Sequence, residues 1–126
     1  MGKIQTFTVY GRLDALNDYI NANRINRYKG AKVKRDNQDK VLAAIEAADL
    51  APYGEQKVRV TFNWVEPNKR RDPDNIASAC KYIFDALVEA KVLNGDSQKY
   101  VSWPIVHNGS VDKCNPRIEV VMEVVE

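Results

Sequence analysis

The sequence predicts a single α+β domain with a mixed or antiparallel sheet and helices packed against it. Two segments, 57–65 and 117–125, alternate between apolar and polar residues, which is typical of half-buried β-strands. Elsewhere in the chain, apolar residues recur at helical spacing. The length of 126 residues fits one domain, and 44% hydrophobic with 29% charged residues is an ordinary globular balance. We expect the order β-α-α-β-α-β-β.

The first half of the chain contains one predicted strand and two predicted helices. Residues 4–10 (IQTFTVY) are rich in β-branched and aromatic residues, which favour a strand. Apolar residues at helical spacing predict a helix from about residue 14, in a segment that Gly30 interrupts. A second helix is predicted over 36–50, because its apolar residues share one face and Pro52 follows it.

The second half begins with the strand 57–65, the most regular alternation in the sequence. A polar loop and a third helix over about 74–91 follow it. Residues 100–106 are predicted to form a strand, and the proline at position 104 indicates that it lies at an edge or contains a bulge. The segment 107–110 (HNGS) predicts a turn, and 117–125 predicts the last strand.

The composition argues against several classes of protein. His107 is the only histidine, and Cys80 and Cys114 lack metal-binding spacing, so a zinc ribbon or a disulfide scaffold is not expected. Any metal must then be held by carboxylates, which favours Mg²⁺, Mn²⁺ or Ca²⁺. No apolar run approaches the roughly 20 residues that span a bilayer, and the first residues lack an apolar signal core. We expect no membrane association and a cytoplasmic location.

Positive charge is concentrated at the front of the chain. Residues 1–35 hold eight Lys/Arg against two Asp, whereas residues 36–126 hold eleven Lys/Arg against fifteen Asp/Glu. Such a basic segment either contacts the phosphates of a polyanion or forms a solvated surface, and we expect DNA contact. Six basic residues lie within twelve positions that contain no acid: Arg24, Arg27, Lys29, Lys32, Lys34 and Arg35.

The most informative segment is 69–99, which combines basic and acidic residues. Asp72 and Asp74 flank a proline where a loop meets the N-terminus of the third helix. Lys81 lies on the polar face that Asp74 begins, and helical side chains lean toward the N-terminus, so Lys81 leans toward the two carboxylates. Asp96 follows in an Asn-Gly-Asp turn. Three basic residues precede the pair: Lys69, Arg70 and Arg71.

These residues support two interpretations. In the first, Asp72, Asp74 and Asp96 hold one or two Mg²⁺ ions for attack of water on a phosphodiester. Lys81 and the basic run 69–71 would then bind phosphate oxygens or stabilise the developing charge. In the second, the first two acids are helix-terminal residues and Asp96 belongs to a turn, which are commoner arrangements than a metal site. The spacing alone leaves both interpretations open.

A resemblance favours the first interpretation. The run RRDPDN, then a helix with a lysine and DAL, then VLNGDSQKYV, resembles the RusA-like Holliday-junction resolvases, Mg²⁺-dependent endonucleases often found in phages and prophages. The segment LNDYINANRINRYKGAKVKR is similar to the phage-type branch, so the resemblance covers most of the chain.

The resemblance implies a homodimer that cuts two strands of a four-way DNA junction symmetrically, in DNA recombination and repair. It implies Mg²⁺ as the cofactor, with Mn²⁺ as a substitute and no organic cofactor, in the cytoplasm of a bacterial or phage-infected cell. Asp72, Asp74 and Asp96 match the three catalytic aspartates of the family. Arg71 matches the basic residue directly before the first pair.

Two positions depart from the best-known family pattern. A functional lysine stands one turn after the second aspartate in that pattern, and here the position is Ser78. Lys81 lies on the same face, as in the phage-type members, and is expected to replace it. Many relatives carry two adjacent acids in the late turn, where this chain has Gly95 before Asp96.

The position of Asp96 raises a question of reach. A continuous helix over 74–91 separates its ends by about 25 Å, at about 1.5 Å per residue. The five residues that follow span at most about 17 Å. We therefore expect Asp96 to complete the site of the other subunit, unless the helix stops near Leu87.

Two other functions stay open at this point. One is a protein that recognises DNA junctions without cutting them, in which the aspartates are cap and turn residues. The other is a nuclease with the same chemistry that acts on flaps or replication forks.

Overall fold

Four strands and four helical segments make up the part of the chain that the computed structural model describes, residues 3–125. In chain order they are β1 (Ile4–Tyr10), α1 (Leu16–Ile25), α2 (Arg27–Ala48), β2 (Val58–Glu66), α3 (Pro73–Ala77), α4 (Cys80–Glu89), β3 (Val106–Val111) and β4 (Arg117–Val124). None of these helices is long and apolar enough to cross a membrane.

The strands form one mixed sheet in the order β1-β4-β2-β3. The central strand β4 is antiparallel to both β1 and β2, whereas β2 and β3 are parallel. A parallel pair needs a crossover connection, and α3 and α4 lie within the connection between β2 and β3. The prediction of a single α+β domain with a mixed sheet and packed helices is confirmed.

The hydrophobic core lies between one face of the sheet and the helices. Alternate residues of β2 point into it, as the sequence pattern predicts, and Phe62 is completely buried. Phe62 meets Phe84 of α4 edge to face, with ring centroids 5.5 Å apart. Burying one large apolar side chain in this way stabilises the fold by about 1.5–3 kcal/mol. The largest fully buried side chains include Phe62, Ile83, Leu87, Val41 and Met122.

The predicted continuous third helix is wrong, because the chain forms two segments with a tight turn at Ser78 and Ala79. Around the turn, the N–H of Ala79 donates to the carbonyl of Ile76 at 3.2 Å, and the N–H of Tyr82 donates to Ala79 at 3.1 Å. These are the three-residue steps of a 3₁₀ turn. The second segment ends at Glu89, before the predicted end.

The predicted strand over 100–106 and the turn over 107–110 are also wrong. The third strand is Val106–Val111, so the Asn-Gly pair lies within a strand. Pairing with β2 along six positions overrides the local turn preference. Of the predicted strand, Val101 makes only an isolated bridge to Val58.

The second helix begins at Arg27, earlier than the predicted residue 36. Asn26 caps it, since its Oδ1 accepts a hydrogen bond from the N–H of Lys29 at 2.8 Å. Gly30, expected to interrupt the segment, is a buried residue within α2. A Cβ at this position would collide with Asn23 of α1, so the glycine permits close packing of the two helices.

Candidate functional site

Asp72 and Asp74 lie at the start of α3, as predicted, and both are exposed. Asp72 occupies the N-cap position, yet among the described residues its carboxylate accepts no capping hydrogen bond. Oδ1 of Asp74 accepts the N–H of Asn75 at 3.0 Å. The carboxylate of Asp72 is therefore not used in the way that the helix-cap interpretation requires.

Lys81 of α4 joins two carboxylates. Its Nζ donates to Oδ2 of Asp96 at 3.0 Å and lies 3.0 Å from Oδ1 of Asp85, one helical turn further along. The side chain of Asp85 is only 22% exposed, whereas those of Lys81 and Asp96 are 66% and 39% exposed. The hydrogen bonds to Asp96 and then Asp85 raise the pKa of Lys81. We call these three residues the exposed triad.

The contact between Lys81 and Asp96 removes the reach argument for a site shared between subunits. The helix ends early, and the N–H groups of Val92 and Leu93 both donate to the carbonyl of Leu87, at 3.0 and 3.2 Å. The chain therefore turns back and brings Asp96 beside Lys81, seven positions after Asp74. Within one chain, Asp96 therefore reaches Lys81 near the start of α4.

Ser78, which stands where the best-known family pattern has a lysine, has a structural role. Its Oγ donates to the carbonyl of Asn75 at 2.6 Å and accepts the N–H of Leu16 at 3.0 Å. Oδ1 of Asn75 lies 3.4 Å from the N–H of Asn17. These contacts satisfy N–H groups in the first turn of α1 and join that helix to α3.

Gly95, the other departure, packs against an aromatic ring. A Cβ at this position would lie 3.0 and 3.2 Å from two ring carbons of Tyr100, so any side chain would force the ring to move. An acid at position 95 would require the Tyr100 ring to shift by a few tenths of an ångström. The second carboxylate near Asp96 is instead Asp85, across the ammonium group of Lys81.

Arg71 points away from solvent and holds a buried acid. Its Nε and Nη2 donate to the two carboxylate oxygens of Glu66, at 3.0 and 2.9 Å, and its Nη1 donates to the carbonyl of Leu13 at 3.1 Å. Nη2 of Arg12 adds a bond to Glu66 at 3.1 Å. We call Arg12, Glu66 and Arg71 the buried triad. It ties the residue before Asp72 to the end of β2 and to the loop after β1.

The buried triad keeps Glu66 ionised. Burial pushes the pKa of Glu66 upward, but the hydrogen bonds and charge of Arg71, together with Arg12, outweigh burial and lower it below its ordinary value. The guanidinium of Arg71 is thus already used in binding Glu66. Lys69 and Arg70 are the exposed members of the basic run.

The residues of the basic segment differ in their contacts: two form ion pairs along α2, and one lines a groove. Lys32 pairs with Asp36 at 2.6 Å, and Arg35 pairs with Asp39 at 2.7 Å, both one helical turn away. Lys34 instead lines a groove that also contains Lys81, Asp85 and Asp96. Three further cations of the segment are exposed: Arg24, Arg27 and Lys29.

Carboxylates are suitable ligands for Mg²⁺, and Asp72, Asp74 and Asp96 supply three of them on or beside the polar side of α3 and α4. Within residues 3–125, however, no three acidic, histidine or cysteine side chains converge as a metal-binding group. Asp96 is bound to Lys81, while Asp72 and Asp74 lie at the other end of the helical pair.

Glu66 and Asp85 are not among the candidate site residues predicted from the sequence. Glu66 continues the buried alternation of β2, and an acid at a core-facing position signals a partner of opposite charge. Asp85 follows Lys81 by four residues on a helix, a spacing at which opposite charges meet. Both signals are present in the sequence.

Comparison with known proteins finds no matching protein-family model and no matching curated protein.

Proposed function

We propose that this protein is a Mg²⁺-dependent endonuclease that hydrolyses phosphodiester bonds in branched DNA, with the four-way junction of recombination and repair as its substrate. One observation carries the proposal most strongly. The groove that contains Lys81, Asp85 and Asp96 also contains Lys34 of the basic segment. A cation of the basic segment therefore lies in the same groove as Lys81 and Asp96, two of the candidate catalytic residues.

In this proposal Asp72, Asp74 and Asp96 hold the metal, for which Mn²⁺ would substitute. When bound, such an ion polarises a phosphoryl oxygen and lowers the pKa of a coordinated water. Asp72 and Asp74 are exposed at the start of α3, which leaves both carboxylates accessible to a metal ion and to the DNA backbone. Water is the nucleophile, and no covalent intermediate with the protein is required.

Lys81 neutralises charge on the phosphate. Its raised pKa keeps the ammonium protonated through the physiological range. Asp85, the less exposed of its two partners, holds the ammonium near Asp96. When Asp96 leaves Lys81 to bind a metal ion, Lys81 stays paired with Asp85. Its free N–H can then donate to a phosphate oxygen.

The remaining basic residues contact the DNA backbone. Lys69 and Arg70 are exposed next to Asp72, so they are suited to phosphates close to the cleaved bond. Arg71 acts indirectly, because its bonds to Glu66 fix the loop that presents Asp72. The basic segment extends the contact along the strand through Arg24, Arg27, Lys29, Lys32, Lys34 and Arg35.

We propose a homodimer as the working form, since symmetric cleavage of a junction needs two sites. Isologous association of two identical chains matches the pseudo-twofold symmetry of a four-way junction. We propose that each site takes its three aspartates from one chain: Asp96 already contacts Lys81 of its own chain, and Asp72 and Asp74 would approach them on metal binding.

A second candidate function is a junction-binding protein that does not cut. The ion pairs of Lys81 with Asp85 and Asp96 favour this function, because such pairs also form in structural networks that have no catalytic role. A third is the same hydrolytic chemistry on flaps or forks, with the residues in the same roles.

The test is cleavage of a synthetic four-way junction and of a linear duplex of the same sequence, with Mg²⁺ and with EDTA. We expect paired symmetric nicks in the junction only with Mg²⁺. Asp74→Asn should lower the rate at least about a hundredfold. Asp49→Asn is the matched control, because this exposed residue ends α2 in a left-handed conformation that Asn adopts readily.

The outcomes separate the three functions. Junction that is bound but uncut under every condition would leave the non-catalytic binder. Flaps or forks cut in preference to the junction would select the third function. Equal loss of activity in Asp74→Asn and Asp49→Asn would remove the assigned role of Asp74.

A further inference from the structure

A cleft lies between α3 and the edge strand β3. Its larger part has a volume of about 280 Å³ and its smaller part about 130 Å³, and both parts include Pro73, Ile76 and Gly109. We call it the α3–β3 cleft. Its main lining residues are Trp64, Pro73, Ile76, His107, Gly109 and Val111.

The cleft exists because of Gly109. In the parallel register, Gly109 pairs with Trp64 and His107 pairs with Phe62, so Gly109 lies on the helix-covered face of the sheet. A side chain would be expected to fill that face, and glycine leaves it open. A Cβ built at this position meets nothing within 4 Å. The walls are apolar, and the side chain of Ile76 is only half-buried.

The rim of the cleft is polar and positively charged. Asn68 and Lys69 line it, and the acid at its base, Glu66, is neutralised by the buried triad. At the other end, Nδ1 of His107 accepts the indole N–H of Trp64 at 3.0 Å. Burial lowers the pKa of His107, so at neutral pH the imidazole is uncharged and its Nε2–H is a donor.

We propose that the α3–β3 cleft binds the base of one unpaired nucleotide in the DNA strand that is cut. A nucleobase has apolar faces and a polar edge, which match the walls and the rim. The phosphate attached to it is an anion, which matches Lys69 and Arg70; neither forms an ion pair within residues 3–125.

The cleft and the aspartates share the first turn of α3. Pro73 lines the cleft and stands between Asp72 and Asp74, so a base held in the cleft directs the neighbouring phosphate to the two carboxylates. This inference rests on the proposed function and adds a cause of substrate choice. Base pairs at a branch point lack a continuous stack on one side, so a nucleotide there leaves its pair at lower cost than a nucleotide within a linear duplex.

The test compares Gly109→Leu with wild type in DNA binding, measured in EDTA so that no strand is cut. The probes are a four-way junction, a duplex with one unpaired thymidine, and the fully paired duplex. A Cβ at position 109 meets no atom within 4 Å, so a leucine side chain can project into the cleft. Thr6→Leu is the matched control, because Thr6 is exposed on β1, at the opposite edge of the sheet.

Wild type should bind the duplex with the unpaired thymidine more tightly than the paired duplex, by about five- to hundredfold. Gly109→Leu should lose this preference and bind the paired duplex as wild type does, whereas Thr6→Leu should keep it. Equal affinities of wild type for the two duplexes, or an unchanged preference in Gly109→Leu, would overturn the inference.

The binding assay and the cleavage assay can fail separately. In one outcome, Gly109→Leu abolishes the preference for the unpaired thymidine, but wild type never cuts the junction. This result would support base binding in the cleft and contradict the nuclease. In the opposite outcome, the protein cuts the junction with Mg²⁺, but Gly109→Leu leaves the binding preference unchanged. This result would support the nuclease and contradict base binding in the cleft. Equal losses by Gly109→Leu on all three probes would indicate misfolding and contradict the cleft as the cause.

Discussion

Two ion networks flank the segment that carries Asp72 and Asp74, and they differ in burial. In the buried triad, the side chain of Glu66 is 8% exposed and is bound by two guanidinium groups. In the exposed triad, one ammonium group of Lys81 joins two carboxylates that are 22% and 39% exposed. The first has more positive than negative charge, and the second has more negative than positive charge.

The difference in burial gives the two networks different roles. Breaking a buried ion pair leaves an uncompensated charge, so the buried triad holds the loop before Asp72 in one conformation. An exposed pair costs little to exchange, because water solvates each released charge. The exposed triad is therefore suited to take new partners, such as a phosphate or a cation. Substitutions in the buried triad should mainly lower stability, and substitutions in the exposed triad should mainly lower activity.

The largest effect is expected from Glu66→Gln. The variant leaves two guanidinium groups facing a neutral amide, and the free energy of unfolding should fall by about 2–3 kcal/mol. Urea denaturation monitored by circular dichroism measures the change. Glu119→Gln is the control, because Glu119 makes a 2.7 Å bond to Arg117 with its side chain 40% exposed. Its loss should be below about 1 kcal/mol. Similar losses in the two variants would contradict the distinction.

Asp85→Asn should lower activity and leave stability nearly unchanged. Lys81 would keep Asp96 but lose the partner that holds it, so junction cleavage should fall about tenfold, in kcat rather than KM. The free energy of unfolding should change by less than about 1 kcal/mol. Glu55→Gln, which removes the exposed partner of Lys99, should alter neither property. A large loss of stability with unchanged kcat would make Asp85 a structural residue.

A smaller effect is expected from pH. The folded-state pKa of Glu66 is below its ordinary value of 4.5, so below that value the unfolded chain binds more protons than the folded one. The stability that Glu66 contributes is present above 4.5 and is lost as pH falls through the folded-state pKa. The difference in unfolding free energy between wild type and Glu66→Gln should shrink over this window. A difference that stays constant in acid would contradict the ionised state of Glu66.

The sequence was sufficient to predict the elements that have strong local patterns. The strand Ile4–Tyr10 has the bounds that its composition predicted. The strand β2 is shifted by one residue at both ends, and β4 ends one residue early. Their alternation repeats over many residues, so it specifies both the strand and its buried face.

Elements that depend on tertiary contacts were not predictable in this way. The strand β3 contains Asn-Gly, a local turn signal, and forms because β2 offers it a parallel edge. The break at Ser78 depends on contacts with α1, which is distant in sequence. The position of Lys81 on a helix could be predicted from the local pattern of apolar residues. The contact of Lys81 with Asp96 needed the turn after Leu87, which no local pattern indicates.

The central claim is that Asp74, Lys81 and Asp96 act within one chain. Mixing Asp74→Asn chains with Asp96→Asn chains and assaying junction cleavage tests it most directly. With sites built from single chains, every site in a mixed dimer lacks one aspartate, so the mixture should stay as inactive as either variant alone. As a positive control, Asp74→Asn mixed with wild type should keep one working site and nick the junction. Recovery of about half the sites in the mixed variant dimer would contradict the claim and show that Asp96 serves the partner's site.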